Sequence, residues 1–139
     1  MKKALVLGAG NFGRYVILAL RECGCEVDVV EKETAPQYAL RDAGCRWFRN
    51  NAWNLASIRA IHIPEYDCCF LCLNDNRQTN LHVIGELRRL NARRIVIRAV
   101  GEEDAAAYQA AGASRVVCPE QLASVVLVRE SFPARSELL

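Results

Sequence analysis

A chain of 139 residues, 52% of them hydrophobic, fits one ordinary domain with a well-buried core. Its 18 basic and 16 acidic residues leave a net charge of +2, too near balance to single out nucleic acid or an anionic membrane surface as a partner. No stretch approaches the roughly 18 apolar residues that span a bilayer. The apolar run behind Met1-Lys2-Lys3 stops at Gly8, too short for a signal core, so the chain is expected in the cytoplasm without membrane insertion.

Lys3 to Leu7 (KALVL) reads as a buried strand ended by glycines. Phe12 to Cys23 carries apolar residues at 12, 16, 17, 20 and 23, the stripe of a helix, with Gly24 placed to cap it. Glu26 to Glu31 (EVDVVE) is a second strand, Pro36 to Ala43 a helix closed by Gly44, and Cys45 to Phe48 a short third strand. Trp53 to Ala60 predicts a short helix, Pro64 breaks the chain, and Asp67 to Leu73 (DCCFLCL) is a continuous apolar fourth strand. Asn76 to Leu90 is the longest helix. Arg94 to Ala99 is a fifth strand, Glu102 to Ala111 a helix ended by Gly112, and Arg115 to Cys118 a sixth strand. A last helix runs from about Pro119 to Val128, and the residues from Ser131 read as a loose tail or truncation point behind a single domain of residues 1–130.

Strands alternating with helices at this spacing imply parallel pairing through crossover helices. The fold class is α/β, a Rossmann-like open parallel sheet of about six strands with helices on both faces.

Seven cysteines invite a metal or redox reading until their placement is considered. In a strand successive side chains alternate faces, so Cys69 and Cys72 of the apparent C-x-x-C point to opposite sides and do not chelate one ion together. They read as small buried thiols in a reducing compartment. His62 and His82 have no partner at ligand spacing, and no metal is expected.

The glycine stretch GAGNFG, residues 8 to 13, carries chemistry. Gly8 lets the chain turn off the first strand, Gly10 removes a side chain where a pyrophosphate approaches the backbone, and Gly13 lets helix and strand pack closely. The amides at the start of the helix then face phosphates with the positive end of the helix dipole, and Ala9, Asn11 and Phe12 of this loop join the candidate binding residues. A second strand ends in Glu31, 18 residues past Gly13, where an acid grips ribose hydroxyls. Glu31 repels a 2′-phosphate and favours NAD(H) or an adenine nucleotide (ATP, ADP or AMP) over NADP, a preference that Lys32 beside it tempers. Arg14 either contacts phosphate or is a solvated first-turn residue.

Ligands of open parallel sheets sit beyond the carboxyl ends of the strands, which adds Asn51, Asn74, Asp75 and Arg98 to the candidate site. Arg98 ends an otherwise apolar strand, a costly place for a guanidinium that finds no anion.

The motif order resembles the N-terminal domain of regulators of potassium conductance, the RCK-N or TrkA-N family. The matching pieces are GAGNFG through Glu31, CLNDNRQTN after the fourth strand, IVIRA at the fifth, and AAGASRVVCPEQLA at the sixth, together nearly the whole chain. The resemblance implies a sensor domain that binds NAD(H), ATP or ADP, assembles as a homodimer or larger ring, and passes its occupancy to a membrane potassium channel, transporter or fused effector domain. Asn11 lies where some relatives carry a phosphate-binding Arg, and Asn50 and Asn51 stand where relatives often carry Gly-Asp at the nucleotide base. Arg98 falls on a basic residue near the nucleotide in relatives. Glu120 matches the acid of a PE motif that in some relatives binds a divalent cation. The family's smaller second lobe is absent from these 139 residues.

The alternative is a fragment of an NAD-dependent oxidoreductase without its substrate domain. Hydride transfer needs a bound substrate and usually a proton donor, and no Tyr-x-x-x-Lys pair occurs in the sequence. The cluster RRLNARR, with Arg88, Arg89, Arg93 and Arg94, ends a helix whose dipole it complements, and no nucleic-acid partner is expected.

Overall fold

Six short strands, β1 (Lys3–Leu7), β2 (Glu26–Val30), β3 (Arg46–Phe48), β4 (Cys68–Leu71), β5 (Ile95–Arg98) and β6 (Arg115–Val117), pair in parallel in the order β3-β2-β1-β4-β5-β6. The structure, a computed structural model, describes residues 2–32, 46–49, 54–73 and 76–133. The helices are α1 (Asn11–Glu22), α2 (Leu55–Arg59), α3 (Arg77–Arg89), α4 (Glu102–Ala111) and α5 (Pro119–Ser131), with a 3-10 turn at Ile63–Glu65. This is the Rossmann-like open parallel sheet that the alternation of strands and helices predicts. The strand order reverses between β1 and β4, which opens a crevice beyond their carboxyl ends.

The apolar runs are buried on both faces, which is why the strands read as continuous rather than alternating. Leu5, Leu7, Leu71, Ile95 and Ile97 point to one side, where α2, α3 and α4 lay Ile58, Val83, Ile84, Leu87 and Tyr108. Val6, Val27, Val29 and Cys72 point to the other, where Ile17 of α1 packs with Phe12, Val16 and Leu20 beside it. Each fully buried Leu or Ile contributes about 1.5–3 kcal/mol relative to exposure. Cys69 and Cys72 fall in opposite clusters, as the strand period requires, and burial pushes both thiols up to about 12.

Several boundaries differ from the sequence reading. α1 begins at Asn11, β2 ends at Val30, and β4 covers only Cys68–Leu71 of the longer apolar run. α5 reaches Ser131, whose hydroxyl donates to the Leu127 carbonyl at 2.8 Å, so Ser131 belongs to the helix and not to a tail. None of the residues of α5 is buried. The predicted helix at 36–43, Cys45 and Trp53 lie outside the described residues.

Two arginines of the basic cluster, Arg88 and Arg89 in the last turn of α3, are spent on the fold. Arg88 donates to the carbonyls of Gly112 (2.6 Å) and Ala92 (3.2 Å) and to the Ser114 hydroxyl (3.0 Å), joining the ends of α3 and α4 to β5. Arg89 and Arg59 converge on Glu86, whose side chain is only 6% exposed. Their hydrogen bonds, Arg89 first, hold the Glu86 carboxyl down at about 2.

An unfolded glutamate titrates near 4.3, so this clamp stabilises fully above about pH 5 and is lost as pH falls through that value toward 2. Glu86→Gln is therefore expected to lower Tm at pH 7, with the gap to the wild-type chain narrowing below about pH 4 and closing only as pH reaches about 2. A Tm gap that stays constant across this range would remove the ion pairs as its cause.

Candidate functional site

The crevice at the strand reversal is where the chain leaves β1 through Gly8. The Gly8 amide still donates to the Val30 carbonyl at 2.9 Å, and its φ of +98° is a left-handed conformation that favours glycine. A Cβ on Gly8 would stand 2.7 Å from the Cys72 carbonyl oxygen, and one on Gly13 would overlap the Gly8 carbonyl oxygen. Both glycines are thus required by close backbone packing of α1, β1 and β4.

Gly10 is different. It is the N-cap of α1, with φ −73° and ψ −157°, and nothing lies within 4 Å of where its Cβ would be. Helix N-termini leave amides that need acceptors, and the other described helices supply them or complement the dipole. Asn54 and Asn76 cap α2 and α3, while α4 and α5 carry acids in their first turns. Among the described helices α1 alone has neither a side-chain cap nor a first-turn acid. Such an amide end is suited to an anion.

Glu31 stands at the other wall. Its amide donates to the Phe48 carbonyl at 3.1 Å, and its carboxylate accepts the Ala9 amide at 2.8 Å, so the acid expected at the ribose is fastened to the glycine loop itself. Lys32 follows it, exposed. Asn11 is exposed at the start of α1, and Phe12 is half-buried behind it.

Arg98 arrives from β5 with its guanidinium 5.9 Å from the centre of the Phe12 ring, close enough for a cation–π contact. The strand-end argument thus brings Arg98 to the loop, with an aromatic face as one of its neighbours. Arg14 likewise lies over the Tyr15 ring at 5.8 Å.

Gly8, Ala9, Gly10, Asn11, Phe12, Gly13, Glu31, Lys32 and Arg98 therefore share one mouth of the sheet. Asn51, Asn74 and Asp75 lie outside the described residues. Glu120 is exposed in the first turn of α5, on an apolar groove of about 810 Å³ that Phe12 also lines. Among the described residues no three His, Cys, Asp or Glu side chains gather as a metal site. Sequence reading missed the Phe48 carbonyl and the Cys72 backing of the loop, since neither has a local signature. The uncapped start of α1 was not legible either, because a helix read from Phe12 puts Asn11, a favoured capping residue, just before it, whereas the helix begins at Asn11 behind Gly10.

Among solved structures, the fold is similar to the TrkA-N domain of inner membrane protein ybaL from Escherichia coli, with a TM-score of 0.79 at 22% identity over 92% of this chain and 95% of that one. It is also similar to the Shewanella denitrificans Kef CTD in AMP-bound form, with a TM-score of 0.81 at 17% identity over 97% and 82% of the two chains. A third similar structure is the GsuK channel bound to NAD, with a TM-score of 0.69 at 16% identity over 84% of this chain and 21% of that one. No curated protein matches the sequence. The family model described as the TrkA-N domain matches residues 4–119, most of the sequence, and the chain belongs to that family.

Proposed function

We propose that this chain is a regulatory domain that binds an adenine nucleotide or NAD(H), with phosphates on the Gly8 to Gly13 loop and ribose on Glu31. The observation that carries the reading is the uncapped amide end of α1, standing beside Glu31 on one side and Arg98 on the other. The AMP-bound Kef CTD and the NAD-bound GsuK channel support the ligand class. Occupancy is passed to a potassium channel, a transporter or an attached effector domain, which only a ligand with different affinities for two arrangements can achieve.

The domain works as a homodimer or larger ring, with α5 and α3 as the pairing surfaces. This rests on α5, which leaves Leu122, Leu127, Val128 and Phe132 each more than half exposed. Sedimentation with and without nucleotide tests the assembly, and a single 15.5 kDa species throughout would exclude it.

Titration calorimetry with NADH, NAD, ATP, ADP and AMP tests the site. Binding of at least one is expected, and Glu31→Ala should weaken it by about 1–3 kcal/mol through lost charge-assisted hydrogen bonds. No heat with any of them at millimolar concentration would sink the reading. Turnover of NADH with small carbonyl compounds would instead favour the oxidoreductase fragment.

A further inference from the structure

Behind β2, on the face covered by α2 to α4, lies a charged cluster that the nucleotide reading does not use. Asp28 sits in the middle of the apolar run of β2 with its side chain 4% exposed. Its Oδ2 accepts the Tyr66 hydroxyl at 2.7 Å and the Arg46 guanidinium at 2.9 Å, and Lys3 Nζ stands 3.7 Å away. Glu65 closes the group, 3.3 Å from Lys3 and 3.5 Å from Arg46. Burial and the bond to Asp28 push the Tyr66 hydroxyl well above its ordinary range, so it remains a donor.

Arg46 is the first residue of β3, a three-residue edge strand that pairs with β2 alone. The same guanidinium lies 4.9 Å from the centre of the Phe48 ring, two residues along the same face. It therefore ties both ends of β3, one to Asp28 and the other through Phe48. The Phe48 carbonyl receives the Glu31 amide, and the Glu31 carboxylate in turn receives the Ala9 amide.

We propose that Arg46 is a positioning residue for the ribose subsite: by pinning β3 to Asp28 and covering Phe48, it fixes the backbone from which the Glu31 carboxylate reaches the ligand. The proposal rests on the nucleotide reading of Glu31. It does not require Arg46 to touch the nucleotide. A short edge ladder opens locally at low cost, and a charge-assisted bond to a buried carboxylate is what raises that cost here.

The test is Arg46→Met in the full chain. The Arg46 side chain is 56% exposed, and Asp28 keeps Tyr66 and Lys3, so the variant retains its core. Amide exchange followed by NMR should quicken roughly tenfold at Glu31 while the Gly8 and Cys72 amides, bonded to Val30 and Leu7, are unchanged. AMP affinity should fall about 3- to 10-fold in the wild-type background and not at all in a Glu31→Ala background, because Arg46 acts through Glu31.

An equal fall in both backgrounds, or unchanged Glu31 exchange, overturns the proposal. Failure of the wild-type chain to bind any adenine nucleotide overturns the reading of the site itself, a result distinguishable by its independence of Arg46.

Discussion

Gly13→Ala is expected to cost about 3 kcal/mol or more of stability and to lower Tm on the order of 10 °C, since among the described glycines an added methyl group meets its nearest atom most closely here. A Cβ at position 13 would overlap the Gly8 carbonyl oxygen and stand 2.9 Å from the Gly8 carbonyl carbon and 3.2 Å from Cys72 Cβ. These are backbone and near-backbone atoms, which have no rotamer with which to withdraw.

Gly8 has little freedom to move aside. It holds a left-handed φ, its amide is bonded to Val30, and the Cys72 carbonyl lies against it. α1 would have to lift from the sheet, unseating Ile17 and its neighbours from Val6, Val27 and Val29. Thermal denaturation of the two chains checks this, and an unchanged Tm would mean that helix and strand are not in the contact described.

Much of this packing was legible in the sequence because glycine spacing encodes it: a turn, a close approach and a helix–strand contact each need a missing side chain. The sheet was legible for a similar reason, since buried parallel strands read as short apolar runs between amphipathic ones. What escaped was set by distant partners. EVDVV reads as a strand, yet nothing local reveals that Asp28 is buried against Tyr66 and Arg46, 38 and 18 residues away.

The last helix shows the converse limit. Its apolar residues are plain in the sequence, but a helix apolar around its circumference does not say which surface it packs on, and here it buries none of them within the chain. Arg98 was found by position rather than pattern: the rule that strand ends face the crevice placed it beside the loop, while the Phe12 ring under its guanidinium depends on how α1 is seated. The strand-end residues Asn51, Asn74 and Asp75 remain expectations from that same rule, outside the described residues.

Gly10→Ala separates ligand from fold. Position 10 has an ordinary backbone conformation, is exposed, and has no atom within 4 Å of the added Cβ, so the substitution costs only the difference in N-cap preference, less than about 1 kcal/mol. Tm should stay within roughly 3 °C of wild type. The methyl group would nevertheless project where phosphate oxygens must come within about 2.9 Å of the first-turn amides of α1.

Nucleotide affinity is therefore expected to fall at least about a hundredfold, close to 2.7 kcal/mol, measured by the same calorimetric titration as the wild-type chain. A glycine kept for folding loses stability when replaced, as Gly13 should; a glycine kept for a ligand loses only the ligand. Retained affinity in Gly10→Ala would move the phosphates away from this loop, whereas lost affinity at unchanged Tm would fix them on the start of α1, which alone among the described helices has neither a side-chain cap nor a first-turn acid.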